Sequence, residues 1–178
     1  IERYCNDKRI KVLRLDNNFR ISKNTLYGIN KSKGDFICFL DHDDLLEVNA
    51  LFEYALAINR NPKVDLIYSD EDKIDQDVTY TDPFFKPDYS KYYLRELNYI
   101  CHFLCVRASL ISKCNYGDSK YDGAQDHNLI LQITEHSNNI HHVPKILYHW
   151  RKSETSSSAS IRESKPYADV ACKKSVEE

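Results

Sequence analysis

Residues 36–40, Phe36-Ile37-Cys38-Phe39-Leu40, form an unbroken apolar run that stops at Asp41-His42-Asp43-Asp44. Five apolar residues are too short for a core helix and the right length for a strand. A strand with no polar alternation is expected to be buried on both faces, as in a parallel sheet covered by helices. Residues 47–59 follow, with Val48, Leu51, Phe52, Ala55 and Ile58 at helical spacing. That spacing predicts a helix packed on this side, and Asn61-Pro62 ends it. Residues 64–68 (VDLIY) read as a second buried strand. Strand, helix, strand is a βαβ unit with a right-handed crossover. The expectation is therefore an α/β fold with a mostly parallel sheet flanked by helices.

The rest of the chain extends this pattern. A strand is expected at 9–15 and a helix at 22–31 with Ser22 as N-cap. Residues 75–90 read as a polar loop holding Pro83 and Pro87, residues 99–106 (YICHFLCV) as a third apolar strand, and residues 115–123 as a loop. A helix is expected at 125–136 with Leu129 and Ile133 inside, and a last strand at 140–150 interrupted by Pro144. The Ser-rich stretch 151–164 reads as mobile, and Pro166 opens a final helix.

Composition narrows the function classes. The chain has 178 residues, with 25 Lys plus Arg and 27 Asp plus Glu, a net charge of −2. One domain with a real core is expected at this length. Nucleic-acid binders normally carry a basic excess, which is missing here. No run approaches the roughly 18 apolar residues that a membrane span needs, and no signal peptide is visible. Methionine is absent and the chain opens mid-pattern at Ile1, so a piece of a longer protein is expected. The six cysteines (Cys5, Cys38, Cys101, Cys105, Cys114 and Cys172) form no C-x-x-C pair. They read as free thiols in a reducing compartment rather than a zinc site.

Four clusters can carry chemistry. Asp41 and Asp43 lie two apart at the carboxyl end of the first buried strand, where open α/β sheets bind ligands. On an extended backbone they point the same way. Both can then reach one Mg²⁺ or Mn²⁺, which takes carboxylate and phosphate oxygens; a solvated Asp-rich turn is the plainer alternative. Asp70, Glu71 and Asp72 follow the second strand, either as acceptor contacts or as an exposed acidic loop. Asp126, at the start of a helix, is expected to stay ionised by backbone hydrogen bonds and the helix dipole. That is the state a general base needs, although a plain N-cap would look the same. His149 beside Trp150 can ligate a metal, contact phosphate or sit in the core. Arg151 can clamp a diphosphate or stay solvated.

Taken in order, KGDFICFLDHDDLLEVNAL, NPKVDLIYSDEDKID, FKPDYS, NYICHFLCVRASLI, YDGAQDHNLILQI and HHVPKILYHWR resemble the inverting family 2 glycosyltransferases of GT-A fold. The nearest likeness is to the bacterial surface-polysaccharide transferases with LDHDD, YSDED and YHWR signatures. The resemblance spans about residues 9–151. It implies a Rossmann-like GT-A domain over 1–155 that lacks the N-terminal nucleotide-binding strands. A Ser-rich linker and the start of a C-terminal helix would occupy 156–178. It implies that Asp41 and Asp43 bind Mg²⁺ or Mn²⁺ bridging the donor diphosphate, that Asp126 is the catalytic base, and that His149 is a further metal or diphosphate ligand. Arg151 is the expected contact to the donor. The implied partners are a nucleotide-diphosphate-sugar donor and a glycan or lipid-linked acceptor, met in the cytoplasm at the inner face of the cytoplasmic membrane. The resemblance leaves Asp70, Glu71, Asp72 and His102 without roles.

One stretch departs from the family pattern. Arg20, Asn24 and Leu26 stand where the family tends to have Gly, Ala and Asn. The first replacement is costly if the position needs a positive φ. This departure motivates a second reading, a non-catalytic carbohydrate- or partner-binding domain. A third, a phosphohydrolase of the haloacid dehalogenase type, expects Thr or Val where Leu45 stands, and no later Lys with an acidic pair is evident.

Overall fold

The computed structural model describes residue 4, residues 6–152 and residues 166–177. The elements run α1 (Arg20–Lys31), β1 (Phe36–Phe39), β2 (Leu45–Leu46), α2 (Ala50–Arg60), β3 (Leu66–Ile74), β4 (Tyr80–Phe84), α3 (Lys91–Glu96), β5 (Leu104–Arg107), α4 (Ala108–Ile111), α5 (Gln125–His136), β6 (Ile140–Arg151) and α6 (Pro166–Glu177). A short 3₁₀ turn covers Ser119–Tyr121. The boundary expected at 155/156 and most of the Ser-rich stretch lie outside the described residues.

The fold is α/β, but the sheet is mixed rather than mostly parallel. Its order is β1-β5-β3-β6-β2, with β4 beside β3. Only β3–β6 pairs in parallel among the described strands. The βαβ reading holds in direction, since β1 and β3 run the same way. It fails in adjacency, because β5 lies antiparallel between them. Arg107 pins β5 in that slot. Its Nε donates to Asp65 at 2.8 Å, Nη2 reaches the Pro62 and Val64 carbonyls, and its guanidinium lies over the Phe36 ring. An apolar run reports burial, not the direction of its neighbours.

Two further expectations are corrected at this edge. Residues 9–15 form no strand; Ile10, Val12, Leu13 and Leu15 are exposed and no described strand pairs with them. Consequently β1 has one ladder partner and is half-exposed rather than buried on both faces.

The core divides by the alternation of β3. Leu66 and Tyr68 face α5, whose Leu129, Ile130 and Ile133 are buried against them. Ile67 faces Ala50, Tyr54 and Ala57 of α2, with Phe103 and Tyr148. Each such aliphatic side chain contributes about 1.5–3 kcal/mol by leaving water. The inner face of α2 therefore differs from the expected one. Val48 precedes the helix and is 97% exposed, and Leu51 and Phe52 also face solvent. Alanines at 50 and 57 let α2 approach the sheet, and Tyr54 reaches through to the Phe103 carbonyl at 2.7 Å. Cys38, Cys101, Cys105, Cys114 and Cys172 are free thiols, as expected.

Helix α1 starts two residues earlier than expected, and Ser22 is not its cap. Ser22 is buried within the helix, where its Oγ and N–H both donate to Asp122 Oδ1 at 2.6 and 3.1 Å. Arg20, where the family tends to carry Gly, has φ +68°. A non-glycine residue there costs roughly 1–2 kcal/mol. Arg20→Gly is therefore expected to stabilise the fold by about 1 kcal/mol. Urea unfolding checks this, with a higher midpoint at unchanged slope as the expected result.

Beyond Tyr68, β3 does not emerge into a loop. It continues to Ile74, so Asp70, Glu71 and Asp72 are buried in a strand rather than exposed. The expected loop at 75–90 begins as a hairpin instead. Asp75 Oδ1 accepts from the N–H groups of Asp77 and Thr79, and β4 folds back on β3.

Candidate active site

Three segments carry the titratable groups of the candidate site, the first two acidic and the third a histidine. The first is the turn after β1. Asp41 and Asp43 are both exposed, with side chains 57% and 47% accessible. Asp44 points the other way. It is buried, accepts a hydrogen bond from the Tyr148 hydroxyl, and accepts the Arg151 N–H at 2.8 Å. Burial raises its pKa, partly offset by those two bonds. Asp44 therefore fastens the turn to β6 and leaves Asp41 and Asp43 outward.

The second segment is the start of α5. Asp126 is its second residue, and the residue preceding the helix is Ala124, so Asp126 is not the N-cap. Gln125 Nε2 donates to Asp126 Oδ2 at 2.9 Å, while Gln125 Oε1 accepts from Gly123 N–H. Gly123 has φ +92°, and a Cβ there would meet Tyr167 and Ala168 of α6 at 2.8 and 3.0 Å. Only glycine makes this turn beneath α6. The expectation that Asp126 is simply kept ionised needs correction: burial raises its pKa, His102 opposes that, and Asp41 adds to it. A raised carboxylate lies closer to neutral pH, which suits proton transfer.

The third segment, unassigned by the sequence, is the turn before β5. His102 stacks on Tyr148 at 5.1 Å and packs against Trp150 at 5.4 Å. Its Nε2 is 3.8 Å from Asp41 and its Nδ1 is 3.7 Å from Glu71. Burial works against the imidazolium, but Glu71, then Asp126 and Asp41, outweigh it and raise its pKa. Behind it, Lys86 and Glu71 form a buried ion pair at 2.9 Å. The sequence carried one signal for His102, a polar residue inside the apolar run YICHFLCV. It carried none for Lys86.

The structure thus sets Asp41 3.8 Å from His102, and the charge of Asp126 acts on both. The fold places His149 elsewhere. In the β3–β6 ladder Glu71 pairs with Tyr148 and Asp72 with His149. By alternation, Glu71, Tyr148 and Trp150 share the face of His102, while Asp72 and His149 share the other. His149 Nδ1 donates to Asp72 at 2.6 Å, Nε2 is 3.4 Å from Glu47, and Tyr80 packs edge-on against the ring. Arg151 Nε donates to the Asp43 carbonyl at 2.8 Å. Among the described residues, no three or more His, Cys, Asp or Glu side chains converge on a metal-sized site.

Comparison with known proteins places this arrangement. Residues 1–115 match the family model for glycosyl transferase family 2. The chain is 37% identical over 174 residues to the uncharacterized protein y4gI of Sinorhizobium fredii, covering 97% of this chain and 19% of that protein. It is also 37% identical over 153 residues to the O-antigen biosynthesis protein RfbC of Myxococcus xanthus, covering 86% of this chain and 12% of that one. The chain therefore spans less than a fifth of either relative. Among solved structures, S. aureus TarS 1-349 in complex with UDP-GlcNAc superposes with a TM-score of 0.69 at 18% identity, over 96% of this chain and 51% of that one. Its complex with UDP gives 0.69 at 19% identity, over 86% and 47%. At this identity the structures establish the GT-A architecture alone. The family model and the two relatives establish descent, and this chain belongs to glycosyl transferase family 2.

Proposed function

We propose that this chain is the catalytic core of a metal-dependent inverting transferase. It moves a sugar from a nucleoside-diphosphate donor to a hydroxyl of a glycan or lipid-linked acceptor. The observation that carries the reading is that Asp41, exposed at the end of β1, lies 3.8 Å from His102 beside the buried Glu71–Lys86 pair, with Asp126 close enough for its charge to act on His102. The kinship with an O-antigen biosynthesis protein supports a polysaccharide acceptor, and the UDP-GlcNAc and UDP complexes of TarS support a nucleotide-sugar donor.

In this reading Asp126 takes the proton from the acceptor hydroxyl as its oxygen attacks the anomeric carbon. One displacement from the face opposite the diphosphate inverts that carbon. Glycoside hydrolases normally need a second carboxyl group as acid; a diphosphate leaves without one.

The side chains present fit a divalent cation shared with the donor. Mg²⁺ commonly takes one or two carboxylates and completes its shell with phosphate oxygens and water. Asp41 and Asp43 are exposed and would supply the carboxylates. His149 is left out of this set, because its Nδ1 is held by Asp72 and its Nε2 lies 3.4 Å from Glu47 on the other face of the ladder. When bound, the cation neutralises charge on the departing diphosphate. Arg151, anchored through Nε, keeps its terminal nitrogens for the donor phosphates. We place the reaction in the cytoplasm at the inner membrane face, with 1–155 as the transferase portion and 156–178 as linker and following helix. No described helix is long and apolar enough to cross a membrane.

The test uses the full-length protein and a panel of nucleotide sugars. Asp41→Ala/Asp43→Ala is expected to lower nucleoside diphosphate release about 10²-fold, since a Lewis acid supplies several kcal/mol. It is also expected to weaken Mn²⁺ binding measured by electron paramagnetic resonance. Wild-type Mn²⁺ affinity in the double variant would remove the metal assignment.

A second reading draws on the strained Arg20, at a position where the family tends to have glycine. A non-catalytic carbohydrate-binding domain would bind nucleotide sugar in full-length protein without turnover.

A further inference from the structure

The Glu71–Lys86 pair is buried: the Lys86 side chain has no exposed surface and that of Glu71 has 10%. Burying two charges costs several kcal/mol per ion, recovered only when further hydrogen bonds satisfy both groups. Those further bonds converge on one turn. Lys86 Nζ donates to the Ile100 carbonyl at 3.2 Å and to the His102 carbonyl. Glu71 Oε2 accepts the His102 N–H. The ion pair therefore grips His102 by both of its main-chain polar groups.

The grip sets where the imidazole goes. Between Tyr148 and Trp150 the ring has little freedom to turn. Its Nδ1 is buried with no hydrogen bond, and its Nε2 faces Asp41. A residue serving only the core would not need ring nitrogens here; phenylalanine would stack as well on Tyr148. At 3.8 Å the Nε2–Asp41 contact is about 1 Å longer than a hydrogen bond. The exposed turn carrying Asp41 can close that gap when the donor arrives.

We propose that His102 is a positioning residue of the transferase, held by the Glu71–Lys86 pair so that its imidazole sets where the carboxylate of Asp41 stands. The proposal rests on the glycosyl-transfer reading above. Asp41 belongs to the donor side and Asp126 to the acceptor side. Their separation decides whether the acceptor oxygen is in line with the leaving diphosphate. Misplacement by about 1 Å in such a geometry costs about 10²-fold in rate.

The experiment measures kcat, donor KM and Mn²⁺ affinity in full-length wild type, His102→Phe, His102→Gln and His102→Asn. The donor is the nucleotide sugar that the wild type turns over fastest. His102→Phe keeps the stack and is expected to retain the wild-type melting temperature within a few degrees. Its kcat is expected to fall about 10²-fold with donor KM within threefold, and its Mn²⁺ affinity to fall severalfold. His102→Gln restores an N–H toward Asp41 and is expected to recover at least fivefold of the lost kcat. If His102→Phe does not fold, the glutamine and asparagine variants decide: wild-type kcat and Mn²⁺ affinity in both overturn the proposal. So does wild-type kcat in a folded His102→Phe. Asp126→Asn separates the two layers. Absence of turnover of every nucleotide sugar by the wild type sinks the transfer reading itself and full activity in Asp126→Asn sinks the role of Asp126 as base, whereas loss in Asp126→Asn with full activity in the His102 variants sinks only the positioning role.

Discussion

Asp126→Asn in the full-length protein is expected to lower kcat for sugar transfer by about 10³-fold while leaving donor binding within threefold. General bases contribute about 10²–10⁴-fold, and asparagine cannot accept the proton. The amide preserves shape, and its oxygen can still accept the bond from Gln125. Folding should therefore survive. The comparison to make is steady-state kcat against donor affinity from calorimetric titration. A variant that retains wild-type kcat would show that the proton leaves by another route, and the role of Asp126 would be lost.

Lys86→Met is the largest expected effect on stability, a loss of about 3–5 kcal/mol. Methionine fills the space but leaves the Glu71 carboxylate buried without its partner, and it strips the Ile100 and His102 carbonyls of a donor. The sign of the pH dependence follows. In the wild type, burial alone would raise the pKa of Glu71, but His102 and Lys86 overcome it and lower it. The stability it contributes is therefore present above the ordinary glutamate range and lost as pH falls through the folded pKa. Without Lys86 the burial contribution gains weight, so acid should cost Lys86→Met less stability than it costs the wild type. Glu71→Gln/Lys86→Met removes both charges and is expected to recover most of the loss. Chemical denaturation of all three proteins at pH 7 and at about pH 4, below the ordinary glutamate value, checks each step. Additive losses in the double variant would mean that the pair does not act as a unit.

These two residues mark how far sequence reasoning reaches. The place of Asp126 at a helix start is legible because its setting is local: a polar turn, then the apolar period of 125–136, which is α5 with the same limits. Asp41 and Asp43 are legible as exposed carboxylates for the same reason, at the end of an apolar strand. Lys86 was not found, because nothing around FKPDYS signals burial. Its partners, Glu71 and the carbonyls of Ile100 and His102, come from other elements. The inner face of α2 escapes local pattern in a related way. Val48, Leu51 and Phe52 are apolar at helical spacing, but the sheet offers room for the small Ala50 and Ala57 and for Tyr54. His149 was weighed by its place beside Trp150; strand alternation then turned it toward Asp72, away from the face where His102 lies.

The chain alone therefore settled the family and the existence of α1, β1, α2, β3, α5 and β6, because hydrophobic period and motif order are properties of neighbouring residues. Tertiary structure settled the rest. The antiparallel entry of β5, the burial of Asp70, Glu71 and Asp72, and the placing of His102 between two acidic turns all depend on ladder register and on ion pairs such as Arg107–Asp65 and Lys86–Glu71. Those contacts join residues that the sequence keeps apart, and no local pattern encodes which of them will meet.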